Sequence, residues 1–211
     1  FAESPYTVND LAADAVSVLD AYDIPEAHAV GVSGGGLVCQ ALALDHRDRV
    51  ITISALLSSL LGTGSIDNPN GGYGDLPSPS PAFLEKLSEF FGKIPADRKS
   101  FIEWSLKKYR LISGSLEPFD QKAGTVQAGL EFDRARNLSS LNNHALAFAA
   151  SPKTPISRVN DLDIKTLVVH GTEDPLLPCG HGEALSQTIP GAHMITIEKM
   201  GHDLPRAAWS R

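Results

Sequence analysis

Apolar positions along the chain follow two alternating rhythms. Between residues 8 and 22, Leu11, Ala15, Val18, Leu19 and Tyr22 fall on one helical face, and Thr7 with Asp10 three residues on makes the capping pattern that starts a helix. Pro25 interrupts it, and 27–32 (AHAVGV) is a short run suited to a strand. Glycines follow, then a helical pattern over 37–44 and a second strand over 49–55. From residue 60 to 155 the texture changes. A stretch rich in Gly and Pro over 62–81 leads into helical patterns at 83–91, 98–112, 123–136 and 141–149, with no strand pattern between them. A strand then returns at 165–170, a helix at 182–189 closed by Pro190 and Gly191, and a strand at 193–198. No internal repeat is visible.

Strands alternating with helices predict an α/β fold, a mostly parallel sheet with helices on both faces. The pattern divides the chain into a core part at 1–59, a helical insertion at 60–155 and a second core part at 156–211. A Gly/Pro-rich loop of about twenty residues is long enough to carry function of its own.

Composition narrows the classes. The 211 residues are 42% apolar and 20% charged, enough to bury one core or two small ones, which excludes a disordered or fibrous chain. A net charge of −7 repels phosphate backbones and argues against a nucleic-acid partner. No apolar run approaches the roughly 20 residues of a spanning helix, and no membrane partner is expected. Cys39 and Cys179 are too few for a disulfide framework and lack the spaced partners of a zinc site, so they read as packing residues of a reducing compartment, with no metal and a cytoplasmic location. The residues leave the oligomeric state open.

The chemistry sits at strand ends. Gly31-Val32-Ser33-Gly34-Gly35 lies between the 27–32 strand and the next helix, the setting in which a nucleophilic serine occupies a sharp, strained turn and needs small residues two before and two after it. The Gly34 amide, at a helix N-terminus, is then the candidate oxyanion donor. With 20 serines and 18 glycines, chance supplies about 0.15 such motifs per chain, so the setting carries the signal rather than the letters. A dinucleotide or phosphate loop is the lesser reading, because neither G-x-G-x-x-G nor G-K-[ST] is present. A serine needs a base and an orienting acid, in the chain order serine, acid, histidine. Asp174 follows the 165–170 strand within Gly171-Thr172-Glu173-Asp174-Pro175, and His202 follows the 193–198 strand within Met200-Gly201-His202. Singly, Asp174 reads as a turn residue and His202 as a surface histidine; jointly they complete a triad with Ser33. Glu173 alternates away from Asp174 and is the lesser acid. His170 ends a strand and reads as buried, close to the triad but outside it. His181 and His193 lie near helix and strand starts, and His28, His46 and His144 have no nearby partner pattern.

The motifs GVSGG at 31–35, HGTEDPLLP at 170–178 and MGH at 200–202 resemble those of the α/β-hydrolase family, and the resemblance runs from about residue 4 to 206. DLAADAV at 10–16, YRLISGS at 109–115 with Pro118, Phe119 and Asp120, and CGHGEAL at 179–185 are similar to its branch of aclacinomycin methylesterases and macrolide esterases. The resemblance implies an ester hydrolase without cofactor, acting on a small-molecule ester of polyketide type, with Ser33 as nucleophile, His202 as base and then acid, and Asp174 as orienter. It also implies a helical cap over the pocket, where Trp104, Tyr109 and Phe148 are the candidate substrate-binding aromatics. Two departures follow. Gly34 stands where the family usually carries a side chain, which removes a wall of the pocket but leaves the amide. Only one helix precedes Ser33, so strand-helix-strand units of ~30 residues each imply roughly 60 to 90 further residues of N-terminal sheet, including the second oxyanion amide, and a closing helix after Arg211. The same triad also serves cofactor-free carbon-carbon bond hydrolases and haloperoxidases, and a non-catalytic ligand receptor of this fold is the rival of a different class.

Overall fold

The computed structural model describes residues 6–62, 76–92, 94–150, 154 and 156–209. Four parallel strands lie in the order β1 (Ala27–Val32), β2 (Val50–Leu56), β3 (Lys165–Gly171) and β4 (His193–Ile197). Pairing runs from Ala27↔Val50 to Val32↔Leu56, from Thr52↔Lys165 to Leu56↔Val169, and from Leu167↔His193 to Gly171↔Ile197. Because all pairs are parallel, the residues after β1, β2, β3 and β4 leave the sheet at one edge, where ligands of open α/β sheets bind.

Helix α1 (Val8–Ala21) begins at the predicted box: Thr7 Oγ1 accepts the Asp10 N–H, and Asp10 takes the Thr7 N–H at 2.7 Å. Its buried face differs from the one predicted. Val8 and Ala12 are buried, whereas Val18 and Tyr22 are 56% and 74% exposed. The helix packs on α2 (Gly34–Asp45) through Val8 and Ala12, so the Leu11, Ala15 and Leu19 stripe lines an apolar groove beside β1 instead of a filled core. Helix α2 starts at Gly34, three residues earlier than its apolar pattern, because glycines carry no hydrophobic signal.

The main core gathers Cys39, Ala41, Leu42 and Ala43 of α2, Val50, Ile53 and Ala55 of β2, Val168 of β3, and Leu185 and Ile189 of α8 (Gly180–Thr188) and its end. Gln40 is wholly buried among them. Its amide nitrogen donates to Gly36 O and Ser59 O at 3.0 and 2.8 Å, and its oxygen accepts Leu61 N–H at 2.9 Å, so α2 is tied to the segment after β2 with no bond left unmade.

Between β2 and β3 lie the helices α3 (Pro81–Ser88), α4 (Arg98–Ile112), α5 (Gln121–Arg134), α6 (Asn143–Ala150) and the short α7 (Ile156–Asn160), which the periodicity did not predict. Asp97 and Asp120 cap α4 and α5 by accepting Ser100 and Ala123 N–H. That second cap places the start of α5 ahead of the predicted 123. The two helices pair through Phe101, the Phe101–Phe132 ring contact and a two-pronged Arg98–Asp133 bridge. Most of the predicted Gly/Pro-rich stretch, 63–75, lies outside the described residues. Among the described residues no helix is long and apolar enough to cross a membrane.

Candidate active site

A sharp turn joins β1 to α2 at Ser33, whose backbone stands at φ 54, ψ −121. An L residue there is strained, and the strain persists only where neighbours over-determine it. They do. Ser33 N–H donates to Leu56 O at 2.8 Å, and Ser33 O accepts both the Ser58 hydroxyl at 2.8 Å and the Gly36 N–H at 2.9 Å. A Cβ on Gly31 would stand 2.2 Å from Gly35 O, so glycine is required there. Gly35, predicted to be small for the same reason, has open space instead. The second tight position is Gly36, where a Cβ would meet Ser58 Oγ at 2.4 Å. The helix turns away at Gly35 while Gly36 faces the end of β2.

His202 comes to the same place. Its Nε2 lies 3.0 Å from Ser33 Oγ, and its Nδ1 lies 2.7 Å from Asp174 Oδ2. With a carboxylate at Nδ1, that nitrogen carries the proton and Nε2 is left to accept from the serine. Asp174 Oδ1 accepts Leu176 and Leu177 N–H at 2.9 and 2.8 Å, a turn that Pro175 favours. Burial pushes the Asp174 carboxyl up. Hydrogen bonds from His170 and His202, the charge of His202 and the Leu177 amide outweigh burial and hold the carboxyl at about 2. Three groups separated by 141 and 28 positions in the chain, 33 to 174 to 202, thus form one hydrogen-bonded line at the carboxyl edge of the sheet.

The other predicted residues fall into two groups. Gly34 opens α2, so its N–H is one of the four that a helix leaves without an internal acceptor. The wall that glycine was expected to remove is restored from elsewhere: Phe148 of α6 lies so close that a Cβ on Gly34 would be 2.2 Å from its ring. Trp104 and Tyr109 make their contacts inside the helical layer. Trp104 sits between Phe90 and Phe101 under the Lys108 ammonium, and Tyr109 donates to Glu131 at 2.7 Å. Burial, with the Glu131 charge beside it, pushes the Tyr109 phenol up.

Several neighbours escaped the motif reading. Ser58 is buried against the serine turn, with no signal except its place just past β2. His170, read as buried, is fully so. Its Nε2–H donates to Leu177 O at 2.7 Å and lies 3.4 Å from Asp174 Oδ2. His181 accepts the Ser59 hydroxyl at Nδ1 and donates from Nε2 to Pro77 O at 3.0 Å, and burial pushes its imidazole down. Cys39 and Cys179 are both free thiols. Burial raises Cys39 to about 11, and burial followed by the Glu183 charge raises Cys179 as well, so neither is a ready thiolate. Among the described residues no group of three His, Cys, Asp or Glu side chains is placed to hold a metal ion.

A sequence profile of the alpha/beta hydrolase fold matches residues 2–205. The chain belongs to the α/β-hydrolase family. Within that family it is 34% identical over 222 residues to rhodomycin D methylesterase DnrP of Streptomyces peucetius, covering 98% of this chain and 71% of that one. It is 27% identical over 191 residues to 2-hydroxymuconate semialdehyde hydrolase of Pseudomonas putida, covering 89% and 60%. Among solved structures of the family, 2-hydroxy-6-oxo-6-phenylhexa-2,4-dienoate hydrolase of Rhodococcus sp. strain RHA1 superposes with a TM-score of 0.66 at 16% identity, over 96% of this chain and 68% of that one.

Proposed function

We propose that this α/β-hydrolase is a serine carboxylic ester hydrolase. The reading rests on a single observation: one imidazole joins a serine hydroxyl at 3.0 Å to a buried carboxylate at 2.7 Å. In the proposed reaction Ser33 Oγ attacks the ester carbonyl while His202 Nε2 takes its proton. Asp174 keeps the Nδ1–H tautomer facing inward and stabilises the imidazolium. The carbonyl oxygen, now negative, is met by the Gly34 N–H. Collapse expels the alkoxide, which takes the proton back from His202 and leaves an acyl-Ser33. Water then repeats the cycle in reverse roles and releases the acid. No cofactor enters these steps.

The substrate we assign is a small-molecule ester of polyketide type, a methyl ester on a polycyclic scaffold before a macrocyclic lactone. The 34% identity to a rhodomycin D methylesterase over nearly the whole chain supports this choice. The helices between β2 and β3 are proposed to cap the pocket, with Phe148 lining it beside Gly34. Two free thiols and a charge of −7 support a cytoplasmic enzyme with neither nucleic acid nor membrane as partner.

Release of methanol from a polycyclic polyketide methyl ester, lost in Ser33→Ala, is the expected outcome. Undiminished turnover by that variant refutes the nucleophile. The similarity to 2-hydroxymuconate semialdehyde hydrolase supports a second reading, hydrolysis of a carbon-carbon bond. A panel of vinylogous diketones discriminates the two. A fluorophosphonate adduct on Ser33 distinguishes either from a ligand receptor that does not react.

A further inference from the structure

The loop that carries His202 is held on two sides. Toward the Asp174 loop, Thr172 N–H donates to Ile197 O at 3.1 Å, Lys199 N–H to Thr172 Oγ1 at 2.8 Å, and Glu173 N–H to Met200 O at 2.9 Å. Toward the helices, it meets the segment that ends α4. His202 N–H donates to Ile112 O, and Leu116 N–H donates to Lys199 O, both at 2.8 Å.

Between those two bonds, backbone lies on backbone. A Cβ on Gly114 would be 2.2 Å from Lys199 O and 2.3 Å from Gly201 N, and a Cβ on Gly201 would be 2.2 Å from Gly114 N and 2.5 Å from Ile112 O. Only a glycine facing a glycine allows this approach. Glu173 closes the join: its carboxylate accepts the Ser115 N–H at 2.7 Å and the Ser115 hydroxyl at 2.9 Å.

We propose that residues 112–116 are a positioning strap for His202, fastened by Glu173 and by the Gly114–Gly201 contact. The inference rests on the esterase reading and deepens it. Strand β4 ends at Ile197, five residues before the imidazole, and Lys199 in between takes φ 65. Sheet pairing alone therefore stops short of His202. The strap holds the final residues of that turn, so that Nε2 stays within reach of Ser33 Oγ as the proton moves across and back. Glu173 touches neither substrate nor reacting atoms; it is a positioning residue, and it explains a carboxylate next to the acid that the triad does not use.

The experiment compares Glu173→Ala, Ser115→Ala, their double variant and Gly114→Ala with wild type on a p-nitrophenyl ester. Thermal midpoints and Ser33 labelling by a fluorophosphonate accompany the kinetics. Glu173→Ala is expected to lower kcat about three- to tenfold with KM little changed. The double variant should be no slower than Glu173→Ala alone, because both changes release one clamp. Gly114→Ala, which forces the loops apart, should cost about a hundredfold in kcat and should shift or broaden the low-field proton resonance of the His202–Asp174 hydrogen bond. Glu173 and Ser115 are both exposed, so those variants decide the matter if Gly114→Ala does not fold. An unchanged kcat in Glu173→Ala, a change confined to KM, or multiplicative losses in the double variant overturns the strap. A wild-type protein that neither hydrolyses the ester nor takes up the fluorophosphonate defeats the esterase reading instead.

Discussion

If the turn at Ser33 is held under strain, removing its side chain in two different ways should separate the strain from the chemistry. Ser33→Ala and Ser33→Gly both delete the hydroxyl that lies 3.0 Å from His202 Nε2, so the lost hydrogen bond cancels between them. What differs is the cost of keeping a Cβ at φ 54, ψ −121. A non-glycine residue in such a region costs about 1–3 kcal/mol. Glycine avoids that cost but gives back roughly 0.5–1 kcal/mol, because its unfolded chain has more freedom to lose. The glycine variant should therefore be the more stable by about 1–2 kcal/mol, which for a chain of this size is roughly 3–6 °C in Tm. Thermal unfolding followed by far-ultraviolet circular dichroism, with urea midpoints as a second measure, reads the difference, and inactivity of both variants does not interfere. A glycine variant no more stable than the alanine variant would refute the strain argument.

Three further outcomes follow from the site. Asp174→Asn keeps the shape but presents an amide to His202 Nδ1, so kcat should fall about 10⁴-fold while fluorophosphonate labelling slows in parallel; a loss under tenfold would show that the carboxylate does not set the tautomer. Gly34→Ala drives a Cβ into the Phe148 ring and should destabilise the fold, whereas adding Phe148→Ala should recover most of the loss, a coupling of about 1–2 kcal/mol; independent effects in the double-mutant cycle would mean that the ring does not rest there. His181 binds its proton more weakly folded than unfolded, because burial opposes its charge. Its contribution to stability is therefore complete above the ordinary imidazole value of about 6.5 and is lost as pH falls below it. Urea midpoints at pH 8 and pH 5 should diverge more for wild type than for His181→Gln, and equal slopes would contradict the assignment.

The meeting of Ser33, Asp174 and His202 is legible in sequence for a physical reason. Ser33, Asp174 and His202 each follow an apolar run by a few residues, and parallel pairing forces the ends of all such runs to one edge. Order and local setting were therefore enough to bring together groups far apart in the chain. The helix cap at Thr7 is equally local, and α1 starts where that residue places it; the caps at Asp97 and Asp120 went unread, and the start of α5 was expected two residues late. Contacts between backbones were not legible. Nothing in the letters of 112–116 says that Gly114 will rest on Gly201, since glycines contribute to no periodicity and their partner lies 87 positions away in number. The same holds for Phe148, whose helical spacing tells which face it shares but not that the face lies on Gly34. The outward turn of Val18 and Tyr22 on α1 escaped the pattern too, because an amphipathic stripe reports that a side is apolar without reporting what covers it.

The fastening of one helix end to the histidine loop bears on how such proteins can be recombined. Exchanging the segment between the second and third strands is an inviting way to build chimeras with new pockets, although its first junction follows Leu56, whose carbonyl already holds the Ser33 amide. Here a transplanted segment would also have to bring a glycine and a hydrogen-bonding residue at the positions of Gly114 and Ser115. Donors for such grafts are therefore best chosen by their fit at this seam, ahead of the breadth of the cavity they bring.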